Sequence, residues 1–128
     1  MVCFYCPQCW HDFPTDVPIC PFCQLDIRAF WESKDWVDKL AIALGHPDRS
    51  TALRAAWLLG KIKAPRSVPI LAEAVQATSD LYLAREIVRA LAEIDGREAR
   101  EVLRQLLQHP AQMVRDEAAL ALWQLGEI

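Results

Sequence analysis

Cys6-Pro7-Gln8-Cys9 and Cys20-Pro21-Phe22-Cys23 are two thiol pairs, each with a two-residue spacer, separated by ten residues. A spacer of this length lets both sulfurs of a pair point to one side, so the two pairs can bring four thiolates to one ion. The prolines stiffen the turns, and the N–H groups beyond them can donate to sulfur. Four thiolates suit tetrahedral zinc at about 2.3 Å per bond. A rubredoxin-type iron site uses the same ligands. A dithiol–disulfide redox centre is disfavoured, because neither pair is followed by the long amphipathic helix whose N-terminus would lower a thiol pKa. With all four ligands from protein, the ion has no open position and supports folding rather than activating water. The expected cofactor is thus one structural Zn2+ on Cys6, Cys9, Cys20 and Cys23. The fifth cysteine, Cys3, breaks the spacing and is expected to be a free thiol. His11 could compete as a ligand, but a solvated histidine is the simpler reading.

All five cysteines and four of the eight prolines lie in the first 23 residues. A segment of about 25 residues is too short to fold on its own core, so it needs the metal. From about Phe30 the composition turns to Ala, Leu, Glu and Arg. We therefore expect two parts, 1–28 and 29–128.

The second part repeats. Leu59, Leu91 and Leu122 align at spacings of 32 and 31 residues, and Ile62, Ile94 and Leu125 fall in the same register. Ala55, Ile87 and Ala118 also coincide, and His46-Pro47 recurs as His109-Pro110. Two apolar-periodic segments per unit of about 31 residues are the signature of a helix-pair solenoid. Within 97–108, Ala99, Val102, Leu103, Leu106 and Leu107 form one amphipathic stripe. The spacing predicts six helices, over about 33–44, 48–61, 66–77, 80–94, 97–108 and 111–125. Ser33, Asp48 and Asp80 are the expected N-caps. Gly45, Gly60, Gly96 and Gly126 are expected at or near helix ends.

Both parts resemble known families. Residues 5–26 resemble short bacterial zinc ribbons of the pattern CPxCG…CPxCG, with Trp10 and Gln24 standing where that pattern has glycine. The segments Ala90-Leu91-Ala92-Glu93-Ile94-Asp95-Gly96 and Val114-Arg115-Asp116-Glu117-Ala118-Ala119 are similar to HEAT-like repeats, known also from phycobilisome lyases. The resemblance covers roughly 33–128. It implies an all-α fold: a HEAT-like right-handed α-solenoid of about three short repeats, preceded by a small zinc-ribbon module.

Function is less legible than architecture. Fourteen Lys and Arg against 17 Asp and Glu give a net charge of −3, which opposes general binding to nucleic acid or anionic membranes. In the cysteine-rich segment Arg28 stands against Asp12, Asp16 and Asp26. No apolar run spans a bilayer and no signal peptide is visible, so the expected compartment is the cytoplasm. No GxSxG, HExxH or P-loop pattern occurs, and the expectation is that the chain is not an enzyme.

The expected role is a non-catalytic protein–protein interaction scaffold. Its partner would be a protein or peptide lying on Glu73, Glu101, Arg104, Gln105 and Gln108, with Asp38 on the same face. The last predicted helix has no second helix to cover Leu122, Trp123 and Leu125. This predicts a homodimer or a docked partner there, or else an apolar face turned inward as a cap. The resemblances suggest two alternatives: a lyase-like or chaperone role on a chromophore-bearing protein, and a nucleic-acid adaptor working through the ribbon. Arg54, Arg85 and Arg115 are expected to bond within the stack, and Lys61, Lys63 and Arg66 to form a solvated turn. Trp31, Trp36 and Trp57 are expected to be core or half-buried packing residues, with Trp123 the exception, and Phe30 and Trp31 are expected to dock the first part on the second.

Overall fold

The computed structural model describes residues 4–127; Cys3, with its expected free thiol, lies outside them. Strands β1 (Phe4–Tyr5) and β2 (Asp12–Phe13) pair antiparallel, Phe4 facing Phe13 and Tyr5 facing Asp12. A second bridge joins Ile19 to Asp26. Seven helices follow: α1 (Ile27–Glu32), α2 (Trp36–Ala43), α3 (Arg49–Ile62), α4 (Ser67–Ala77), α5 (Leu81–Ile94), α6 (Gly96–Leu106) and α7 (Gln112–Gln124). The fold is an all-α solenoid carrying one two-stranded sheet.

Six helices lie where the apolar period places them. The seventh, α1, was not expected. Asp26 caps it by accepting from the Ala29 N–H at 3.0 Å, and the helix runs across the boundary expected between the two parts. Ser33 is accordingly the C-cap of α1, and Asp35 caps α2 by accepting from the Asp38 N–H at 2.9 Å. Asp80 caps α5 as expected, taking the N–H groups of Tyr82 and Leu83. Asp48 stands at the N-cap of α3, but its carboxylate accepts from the Thr51 hydroxyl instead of a backbone N–H.

Buried side chains form two separate clusters. A small one holds Cys6, Phe13 and Cys20, with Val17, Leu25 and Ile27 packed against it. The large one runs through α2 to α7 and includes Leu59, Leu71, Ile87, Leu91, Leu103, Leu106 and Leu122. Helix α5 is central: it packs on α3 and α7 on either side and on α4 and α6 as well. Ion pairs then tie helices one repeat apart. Arg49 reaches Asp80, Lys61 reaches Glu93 and Arg89 reaches Glu117, each at 2.8 Å, while Arg66 bonds both Asp35 and Asp38. The expected solvated turn at Lys61 and Arg66 is therefore bound into the stack.

Gly60 is not a helix end. It is buried within α3, where a Cβ would stand 2.9 Å from Ala90 Cα and 3.2 Å from Ala90 Cβ. Its role is to admit close approach of α5. Gly60→Ala forces the helices apart, and chemical denaturation should show a loss of about 1–3 kcal/mol. An unchanged midpoint would mean the two helices part freely.

Two tryptophans also depart from expectation. Trp36 and Trp57 are 74% and 51% exposed, while Trp123, the expected exception, is 66% exposed. The inter-helix space is filled by alanines, among them Ala52, Ala55, Ala56, Ala84, Ala90 and Ala118, and closely spaced helices leave no room for indoles. Lys39 and Lys61 lie over the rings of Trp36 and Trp57 instead.

Candidate metal centre and helical faces

The metal centre is built from two near-identical turns. In the first, the Trp10 N–H donates to Cys6 O at 2.9 Å and the Cys6 N–H to His11 O at 3.0 Å. In the second, the Gln24 N–H donates to Cys20 O at 3.0 Å and the Cys20 N–H to Leu25 O at 2.9 Å. This geometry needs a left-handed residue after the second cysteine of each pair. Trp10 (φ 62°) and Gln24 (φ 67°) adopt it although neither is glycine. The absence of glycine thus leaves the shape of the turns unchanged and adds strain to them.

The two turns bring Cys6, Cys9, Cys20 and Cys23 together, with all four sulfurs within 4.8 Å of one another. Cys6 lies 3.5 Å from Cys23, and Cys9 lies 3.6 Å from Cys20, sulfur to sulfur. A tetrahedron with 2.3 Å bonds has edges of about 3.8 Å, so the quartet fits an ion of that size. Backbone N–H groups supply the outer contacts. Gln8 donates to Cys6 Sγ, and Phe22 and Cys23 donate to Cys20 Sγ, each at 3.4 Å. His11 is exposed and stacks on Phe22 at 4.0 Å, with its Nδ1 3.3 Å from Cys9 Sγ.

The thiols of Cys20 and Cys23 hold their protons unequally. Burial raises the Cys20 thiol, but the N–H groups of Cys23 and Phe22 outweigh it and bring it down to about 7. For Cys23 the Leu25 N–H works downward, yet burial and the neighbouring sulfurs push it up to about 12. Metal uptake must displace these protons, so retention weakens as pH falls. Gln24→Gly relieves a left-handed residue without touching a ligand. It should strengthen metal retention against a competing chelator by about 0.5–1 kcal/mol; weaker retention would show that the Gln24 side chain holds the turn.

The remaining predicted residues are scattered over the array. Glu73 is exposed on α4, and Glu101, Arg104 and Gln105 are exposed on α6, with exposed Gln108 just beyond it. A groove between these helices is lined by Val68, Pro69, Ala72, Val102, Arg97 and Glu101. Arg104 is partly committed, bonding Glu101 at 3.0 Å and Glu127 at 2.6 Å. Leu122 is fully buried and belongs to the core, so of the two alternatives expected for it the inward-turned cap holds and a place in an open docking surface does not. The chain bends back at Gly126 (φ 81°), and the Glu127 N–H donates to Leu122 O at 2.9 Å. Leu125 packs partly against the same core, and only Trp123 of the three stands in solvent.

Glu127 closes the end by bonding Arg100 at 2.7 Å as well as Arg104, and these guanidinium groups hold its carboxyl below the usual carboxylate range. Arg100 also holds Asp95 low while fixing it at φ 57° between α5 and α6. Arg115 donates to the carbonyls of His109 and Pro110 at 2.7 and 2.8 Å, a bond within the stack.

Sequence reasoning missed the residues that join the two clusters. Phe30 and Trp31 pair with each other, ring centroids 5.4 Å apart. Tyr5 and Trp10 are the residues that touch the array, both closing on His46. A tryptophan in a glycine position was the available signal.

Residues 76–128 match the family model of HEAT repeats. Residues 52–77 match the PBS lyase HEAT-like repeat. Among curated proteins, a deoxyhypusine hydroxylase of Phaeosphaeria nodorum is 35% identical over 86 residues, 64% of this chain. The match covers 26% of that relative, so the chain spans about a quarter of its length. The relative is an enzyme. This overturns the expectation that the chain is not one, since the likeness points towards an enzyme family. The earlier inference rested on missing short motifs, and such motifs do not exhaust the ways a helical array can carry chemistry. No helix among the described residues is long and apolar enough to cross a membrane.

Proposed function

We propose that the chain is a protein-docking scaffold clipped at its cysteine-rich end by a structural zinc ion. The observation that carries this reading is the run of HEAT repeats over 52–128, with an open groove between α4 and α6. The partner would be a polypeptide of mixed charge lying across Glu73, Glu101, Arg104, Gln105 and Gln108. The apolar floor of Val68, Ala72 and Val102 supplies contact area, and the charged rim sets register. Zinc is taken as the ion because four thiolates at these spacings suit its tetrahedral coordination and no redox role is read for the site. The two separate buried clusters support a division near residue 28.

The test is affinity capture with the full chain and with a Glu101→Lys/Gln105→Arg variant in parallel. A polypeptide held by the first and lost by the second supports the groove; equal retention by both overturns it. Trp123, beside exposed Leu120 on α7, supports a further contact with a second copy of the chain. Native mass spectrometry should then show two chains, reduced to one by Trp123→Ala. A single chain in both samples removes that contact.

A second reading is favoured by the 86-residue likeness: the array forms part of an enzyme that hydroxylates deoxyhypusine, as the fungal relative's name states. Incubating the full chain with deoxyhypusine, dioxygen and a two-electron reductant should then give a product heavier by one oxygen, the second oxygen atom leaving as water. Unchanged deoxyhypusine would count against it.

A further inference from the structure

Tyr5 precedes Cys6 and Trp10 follows Cys9, so each ring is one peptide removed from a sulfur of the quartet. Both rings close on the same residue of the array. Tyr5 meets His46 with centroids 4.5 Å apart and planes at 66°, and Trp10 meets it at 5.1 Å and 64°. Both are edge-to-face contacts with one imidazole. Trp10 also reaches the neighbouring backbone, since a Cβ on Gly45 would stand 3.6 Å from its Nε1.

His46 is itself a structural element of the turn between α2 and α3. Its Nδ1 accepts from the Asp48 N–H at 2.9 Å, and Asp48 is the N-cap of α3. His109 makes the equivalent bond to the Ala111 N–H at 3.0 Å. Among the described residues, no aromatic ring pairs with His109, so the clasp is particular to the first turn. His46 also lines a groove with Leu44, Arg49, Glu73, Ile70 and Asp80.

We propose that the quartet and this groove are coupled through the clasp. A metal ion on the four sulfurs holds Tyr5 and Trp10 on His46 and fixes the turn at 44–48; its loss frees the turn. The inference rests on the reading of the quartet as a metal site. The element with two arrangements is Trp10. A bulky residue stays left-handed only where its surroundings over-determine it. The small cluster around Phe13 is too slight to do so once the sulfurs are no longer tied together. Relaxation of Trp10 to negative φ swings the indole off His46, and the N-cap of α3 then loses its packing.

The experiment is hydrogen exchange by mass spectrometry on the full chain loaded with Zn2+ alone, before and after EDTA. Metal per chain is measured on the same samples. On metal removal, residues 4–27 should lose protection. Residues 44–52 should exchange at least ~10-fold faster, while α5 and α6 hold as an internal reference. Trp10→Gly keeps all four thiols and suits the left-handed backbone. It should take up zinc as fully as the parent and hold it at least as tightly, yet exchange at 44–52 as fast as the EDTA-treated parent. Equal protection of 44–52 with and without zinc overturns the coupling, as does full protection in Trp10→Gly. A parent chain that takes up no zinc overturns the metal reading itself, and the metal measurement distinguishes that failure from the other two.

Discussion

Cys20→Ser should abolish stoichiometric metal binding and unfold residues 4–27 while leaving most of the helical array in place. Cys20 is completely buried, accepts two backbone N–H bonds and lies 3.6 Å from Cys9 Sγ, so no neighbouring group can take its position. A serine hydroxyl keeps its proton near neutral pH and offers a poor ligand to a thiophilic ion. Structural zinc sites contribute roughly 10–16 kcal/mol to folding. The apolar cluster that would remain, Phe13, Val17, Leu25 and Ile27, is far too small to replace it. Metal analysis should read close to zero per chain, and helical circular dichroism should fall only slightly, since α2 to α7 lie in the other cluster. Full metal content with unchanged chelator resistance would remove Cys20 from the ligand set. Near-complete loss of helix would show that the array cannot stand without its clip.

The repeat was legible because a period of about 31 residues places Leu59, Leu91 and Leu122 in equivalent slots, and all three are fully buried. The quartet was legible because a two-residue spacer constrains backbone geometry locally. What stayed hidden depends on contacts between distant segments. Gly60 looks like a terminator until Ala90 is set against it. Trp36 and Trp57 look like packing residues by their helical spacing, but the close spacing of helices set by alanine leaves them outside. Leu122 left two alternatives open, an open docking end or a face turned inward, and only its burial against the preceding helices decides for the second. His46 gave a repeat signal but no sign that Tyr5 and Trp10 would close on it. Function was hidden for a different reason: the surface of an array is set by its partner, whose chemistry leaves no periodic trace.

Leu91→Ala should be the most damaging single truncation in the array. Leu91 is fully buried on α5, the helix that packs against α3, α4, α6 and α7. Removing a buried leucine side chain costs about 2–5 kcal/mol, with the upper end where surroundings cannot collapse into the space. Here Gly60 and Ala90 already hold α3 and α5 in close contact, so little slack remains to fill the cavity. Stability in a stack of repeats sums over units and their junctions, and a change in the central unit weakens the junctions on both sides. At roughly 3–5 °C per kcal/mol for a chain of this size, the melting temperature should drop by about 10–20 °C. Leu122→Ala removes the equivalent side chain from α7, which packs on α5 and α6 alone, and it should cost less and loosen mainly that end. Leu120→Ala, on the exposed face of α7, should change stability by less than about 0.5 kcal/mol. If the three truncations proved equally costly, the array would be melting as one indivisible unit, and the central place given to α5 would be wrong.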